Sequence, residues 1–216
     1  MEAYQDASWQ GLLDGVPTTV EREGFADTAV RFAVNLLGAP PLKGREFAEY
    51  RQRTQGETIF GAGIVVTLPT GEYFEDKLLN LGGNRWVIMP QLGVVHEEGP
   101  WSFELSASTW LFTDNDEFWN GKRREQDTLY TLEGHVVYTF RPGVWVSASA
   151  GYGFGAESTV NGIRKDDESS NLVWALSAGY PITPTFGFKL SYIGTKTLED
   201  TGFDSSTISL SASYFW

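Results

Sequence analysis

The stretch "TISLSASYFW" (207–216) alternates without a break. Ile208, Leu210, Ala212, Tyr214 and Trp216 are apolar, and the Thr207, Ser209, Ser211 and Ser213 between them are small and polar. A period of two is the signature of a β-strand with chemically opposite faces. The same alternation recurs over about ten residues near 26–37, 57–68, 86–95, 101–112, 129–140, 144–155, 171–181 and 186–196, and predicts nine strands with the last at 206–216. A tenth, frayed strand is expected near 3–10. The helical period fits only around 43–51, "KGREFAEYR", after the break at Pro40-Pro41.

The connections fall into two classes that alternate along the chain. Short turns at 96–100 ("HEEGP"), 141–143 ("RPG") and 182–185 ("ITPT") are interleaved with long polar segments at 69–85, 113–128, 156–170 and 197–205. Tight turns at one end and large loops at the other characterise a transmembrane β-barrel. Phase agrees. One set of alternate residues reads Trp101, Phe103, Leu105, Ala107, Leu111; Tyr130, Leu132, Val136, Tyr138, Phe140; Val144, Val146, Ala148, Tyr152, Phe154; Leu172, Trp174, Leu176, Ala178, Tyr180. The interleaved set is Ser102, Glu104, Ser106, Ser108; Glu133, His135; Ser147, Ser149, Gly151, Gly153; Ser177, Gly179. Eleven residues at ~3.3 Å each, tilted about 40°, climb roughly 28 Å, enough for an outer membrane's apolar band. Trp86, Trp101, Phe140, Phe186 and Trp216, near strand ends, are expected to form interfacial girdles. The fold class read from this pattern is all-β, an antiparallel transmembrane β-barrel, and the lipid of an outer membrane is its first partner.

Composition excludes several alternatives. The 216 residues hold no Cys, which removes disulfides, thiolate metal sites and cysteine nucleophiles. A net charge of −12 without a basic stripe opposes a phosphate backbone, so no nucleic-acid partner is expected. No apolar run approaches the roughly 18 residues of a spanning helix, and "MEAYQDASWQ" lacks the layout of a signal peptide.

The charged residues inside strands, Arg31, Glu104, Glu133 and Lys189, all phase with the polar face, as does His135. In lipid they would be costly, so their phase points to a wet lumen, where they either set pore selectivity or pair to fill a narrow interior. The segment 114–127, "DNDEFWNGKRREQD", places Asp114, Asp116, Arg123 and Arg124 at the extracellular mouth. It reads as a loop with internal ion pairs, or as a contact for solute or lipopolysaccharide. Its carboxylates lack the spacing of a twelve-residue calcium loop, and no metal is assigned. Glu133 and His135 would need a nucleophile in reach to act as a hydrolase pair. "GYGFG" (151–155) precedes no helix, so it is read as room for curvature or for a neighbouring side chain rather than as a phosphate loop.

Several stretches, taken in order, resemble the outer-membrane β-barrel transporter family of the meta-pathway of phenol degradation. They are "GFADTAVRFAVNLLGAP" (24–40), "EFAEYRQ" (46–52), "KLLNLGGNRW" (77–86), "FTDNDEFW" (112–119), "REQD" (124–127), "GHVVYTFRPG" (134–143), "TVNGIRKDDESSN" (159–171) and the terminal strand. Ala26 stands where the family often has Gly. The resemblance implies about twelve strands in a full-length member, of which nine or ten lie here. It also implies a signal peptide and about three more strands before this start, with residues 1–10 as the tail of the third. The chain is accordingly expected to be one barrel domain over 1–216, N-terminally truncated, with a periplasmic loop and short helix at 39–56. The end of the chain also resembles the C-terminal signal of outer-membrane proteins, read by the barrel-assembly machinery, with Ile208, Leu210, Tyr214 and Trp216 as its elements.

The implied function is a channel or transporter of the outer membrane of a Gram-negative bacterium, for small hydrophobic or aromatic solutes, with no enzymatic activity and no cofactor. A structural or adhesin-like plugged barrel, an outer-membrane esterase or phospholipase, and a soluble β-barrel binding protein are the other readings left open.

Overall fold

Strands with one apolar and one polar face satisfy their backbone groups by pairing side by side, and short turns make neighbours of consecutive strands. The computed structural model describes residues 4–13, 16–54, 56–200, 202 and 204–214. Among the described residues nine long strands form one antiparallel sheet: β3 (Thr28–Leu37), β4 (Gly56–Leu68), β5 (Val87–Glu98), β6 (Trp101–Phe112), β9 (Leu129–Arg141), β10 (Val144–Gly155), β13 (Ser169–Pro181), β14 (Phe186–Thr197) and β15 (Ser205–Tyr214). Their order in space, β15-β14-β13-β10-β9-β6-β5-β4-β3, is their order along the chain. This up-and-down arrangement is the one the alternation and turns predict. Among the described residues, β3 and β15 are the two edges and do not pair with each other.

Pro90 leaves a local mark. The β5–β6 register runs through Ile88↔Leu111 and resumes at Gln91↔Ser108, because a residue without an N–H cannot complete the ladder between them.

The expected tenth strand is present, with a partner the alternation did not reveal. β1 (Tyr4–Leu13) pairs along its whole length with β2 (Val16–Phe25), and among the described residues these two strands form a sheet of their own. "VPTTVEREGF" carries charge and β-branched residues on both sides, so no apolar face betrays it. A second difference concerns the long segments. Within 113–128 and 156–170, β7 (Asn115–Phe118), β8 (Lys122–Gln126), β11 (Ser158–Val160) and β12 (Ile163–Arg164) form a separate small sheet, ordered β12-β11-β8-β7. These strands are too short and polar for periodicity to show them.

At the short-turn end, the segment between β3 and β4 carries α1 (Gly44–Arg53). Tyr50 of this helix donates to Glu57 Oε1 at 2.7 Å, and the same oxygen accepts the Ala39 N–H at 2.8 Å, so one carboxylate ties the helix to the base of β4.

The apolar face of the large sheet is bare. Leu176 is 58% and Leu210 69% exposed, whereas Ser191 on the opposite face is 4% exposed. Ile208 and Tyr214 lie on the same open face; Trp216 lies outside the described residues. Aromatic clusters mark both ends of that face. Trp101, Tyr138 and Phe140 meet edge to face near the short turns, with centroids 4.7 and 4.8 Å apart. Tyr130 and Tyr152 flank Phe154 at 5.4 and 5.7 Å near the long loops. Large apolar patches on a monomer mark contact with an apolar medium or partner, and aromatic belts mark an interface.

Candidate functional site

Directly opposed residues of an antiparallel pair share a face, so the register assigns every strand position to one side. Glu104 of β6 faces His135 of β9, which faces Ser149 of β10. One pair further along, Ser106, Glu133 and Gly151 stand in a row. Lys189 of β14 lies between Gly179 of β13 and Ser211 of β15, and Arg31 of β3 opposes Val65 of β4. Followed across the sheet, these pairings put Arg31, Glu104, Glu133, His135 and Lys189 on one face.

The structure brings three of the five together. His135 Nδ1 is 2.8 Å from Ser149 Oγ, and its Nε2 is 3.9 Å from Glu133 Oε2. Arg31 stands on edge strand β3, and Lys189 is three strands from β9, so neither joins this group. Paired hydroxyls recur over the rest of the face among apolar residues such as Val65, Val137 and Ile193: Ser108 and Thr131 at 2.5 Å, Ser177 and Ser191 at 2.8 Å, Thr195 and Ser205 at 2.8 Å. A groove of about 400 Å³ runs over β9, β10 and β13, lined by Thr131, Glu133, His135, Gly151, Asn171 and Val173. A Cβ at Gly151 would stand 3.3 Å from Glu133 Cγ, so the glycine makes room for that side chain, as "GYGFG" suggests.

The Ser149–His135–Glu133 arrangement has the outline of a hydrolytic triad without its electrophilic half. Ser149 sits mid-strand in β10, paired on both sides, so its neighbouring amides are committed to β9 and β13 and are not aimed at a developing oxyanion.

At the long-loop rim, Arg123 gathers the carboxylates around it. It bonds Asp114 and lies 3.5 Å from Asp116 and 3.0 Å from Glu125, and these groups hold its guanidinium above its ordinary pKa, the Asp114 hydrogen bond first. Arg124, its neighbour, points elsewhere and lies over the Phe118 ring at 5.4 Å. The Arg164–Glu157 pair anchors the β11–β12 turn in the same way.

Sequence reasoning missed the residues that organise this rim. Asp27, between β2 and β3, accepts the Gly71 N–H on Oδ1 and the Gly83 N–H on Oδ2, both at 2.8 Å, and so clamps both ends of the 71–83 loop. The fit requires glycine, because a Cβ at Gly71 would lie 2.7 Å from the Asp27 backbone nitrogen. Asn115, 2% exposed, donates to Tyr73 Oη at 2.8 Å and to the Gly83 carbonyl at 3.2 Å, joining that loop to the small sheet. Arg85 lies half-buried over the Phe112 ring at 4.5 Å. Burial, and secondarily Arg124, lowers it to about 10, against the pull of Asp27. Each lies within or beside a stretch that carries the family resemblance, yet nothing in its spacing announces a partner so far along the chain.

Residues 3–212 match the family described as "Putative MetA-pathway of phenol degradation". Among solved structures, the chain is similar to the crystal structure of an outer membrane channel from Pseudomonas putida F1, with a TM-score of 0.72 and 24% identity over 90% of this chain and 68% of that one. No curated protein matches.

Proposed function

Since the chain belongs to the phenol-degradation MetA-pathway family, we propose that it acts as a channel in the outer membrane of a Gram-negative bacterium, passing small hydrophobic or aromatic solutes along its polar face. The observation that carries this reading is the two-sidedness of the nine-stranded sheet. One face is an open apolar surface with aromatic clusters at both ends. The other bears hydroxyls and the cluster of Glu104, Glu133 and His135. Strands can cross lipid only in a wall whose polar backbone groups are all paired, so β3 and β15 must each meet a further strand or one another. The likeness to a solved outer membrane channel supports the barrel, and the family's name supports the solute class.

In this reading Glu104, Glu133, His135, Arg31 and Lys189 face the aqueous passage, and Asp114, Asp116, Arg123 and Arg124 stand at its extracellular mouth. The strand carrying Ile208, Leu210 and Tyr214 is the segment handed to the assembly machinery. The segment 39–56 lies on the periplasmic side, opposite lipopolysaccharide. The polar face transports rather than transforms, because its serine lacks an oxyanion site.

Single-channel recording in planar bilayers tests this. Stepwise conductance is expected from the folded protein, with cation preference reduced in Glu133→Gln and increased in Lys189→Gln. A folded protein that stays silent would overturn the open passage.

A further inference from the structure

A cavity of about 260 Å³ lies beneath the rim, between the 71–83 loop and the small sheet, and is lined by Tyr73, Leu78, Asn80, Asn115, Arg85 and Arg124 among others. Two guanidinium groups in one small cavity repel each other, and in a chain with net charge −12 their counterions would be expected close by. They are absent: among the described residues neither Arg85 nor Arg124 has a carboxylate within ion-pair distance. Arg85 Nη1 is buried with no hydrogen-bond acceptor. Asp27, the carboxylate whose charge acts on Arg85, has both oxygens engaged by the Gly71 and Gly83 amides.

The neutral polar groups of the cavity are also occupied. Asn115 and Tyr73 bond each other, and Tyr73 donates to the Glu117 carbonyl at 3.1 Å. Asn80 accepts the Phe74 N–H at 2.8 Å and donates to the Phe74 and Lys77 carbonyls at 3.1 and 3.0 Å. What remains unsatisfied is Arg85 Nη1, one arm of a guanidinium fork whose geometry matches a carboxylate. Leu78, Leu81 and Phe118 supply the smaller, apolar part of the lining, on which a single flat ring can rest, and the rest of the lining is polar. The volume lies near the small end of ligand cavities, roughly 300 Å³.

We propose that Arg85 and Arg124 form a binding subsite at the channel mouth for a small monocarboxylate with an apolar body, an arenecarboxylate above all. As a statement about solute class it rests on the channel reading, but the binding step is measurable without conductance. The subsite would draw the anionic form of an aromatic solute out of a strongly negative surface, and both guanidinium groups would be relieved of mutual repulsion on occupancy.

The test is calorimetric titration of the refolded protein in neutral detergent with benzoate, its neutral isostere benzamide, and inorganic phosphate. Folding is checked by heat-modifiable gel migration. Benzoate is expected to bind at least tenfold more tightly than benzamide or phosphate. The Arg85→Gln/Arg124→Gln double variant should weaken benzoate at least tenfold, while Arg164→Gln, which is paired with Glu157 outside the cavity, leaves it unchanged. If the double variant does not fold, the three-ligand comparison on the unaltered protein decides alone. Equal affinity for benzamide, tighter binding of phosphate, no binding of benzoate, or an unaffected double variant would each overturn the proposal. A conducting protein that ignores benzoate loses this inference and keeps its channel; a silent protein that binds benzoate does the reverse.

Discussion

The indole of Trp174, on β13, covers Gly194 on β14: a Cβ placed at 194 would stand 2.4 Å from its ring carbons. Trp145 stands in the same relation to Gly179 on the opposite face, where a Cβ would be 2.3 Å from the indole nitrogen. Glycine weakens a strand by exposing backbone and adding entropy to the unfolded chain, and an aromatic laid across it restores the cover. Each Trp–Gly pair thus joins two neighbouring strands as one packed unit, once toward the apolar side and once toward the polar side.

Gly194→Val should therefore fail to reach the heat-modifiable folded form, since the flat ring has to leave and the strand propensity gained is smaller than the packing lost. Trp174→Leu alone should fold with reduced stability. Combining it with Gly194→Val should recover folding, a coupling of the size expected for residues in contact, about 0.5–3 kcal/mol. Refolding yields of the three variants measure it.

The opposite chemistry of the two faces is tested at adjacent residues. Leu176→Arg is expected to cost about 2–4 kcal/mol of folding stability in lipid vesicles, the penalty for a cation on the lipid face near the midplane. Ala175→Arg, one residue earlier and on the polar face with Ser149 opposite, should fold and change ion selectivity instead. Equal losses at both positions would contradict the assignment of faces.

Asp27→Ala removes a charged acceptor from two backbone amides, each such bond contributing about 1.5–3 kcal/mol. The expected result is rapid proteolytic cleavage within 71–83, with the nine-stranded sheet still resistant. Cleavage no faster than in the unaltered protein would show that the clamp is redundant.

Acid should loosen the rim before the wall. The Asp204 carboxyl is held below the usual carboxylate range by its hydrogen bond to Lys196, and Glu157 by its bond to Arg164. A depressed folded-state pKa contributes stability above the unfolded value, and that contribution is lost as pH falls through the folded one. Hydrogen-exchange protection factors, followed from about pH 5 to pH 2, should accordingly fall first beside Asp204 and at β11–β12. Asp204→Asn should abolish the pH dependence at the first segment and leave it at the second.

The alternation in "TISLSASYFW" and its eight counterparts, with the short turns between them, was sufficient to determine nine strands, their order and their two faces. These follow from local rules, because a strand's side chains alternate whatever it pairs with, and a tight turn makes consecutive strands neighbours. Glu104, Glu133 and His135 could be assigned to one face for the same reason. Tertiary structure alone decided that β1 pairs with β2, that the long loops fold into a sheet of their own, and that Asp27, Arg85 and Asn115 govern the rim. There the polar side chains satisfy partners distant in the chain, such as Gly83 for Asp27 and Tyr73 for Asn115. A hydrogen bond of that kind has no period, and only the folded chain brings its two ends together.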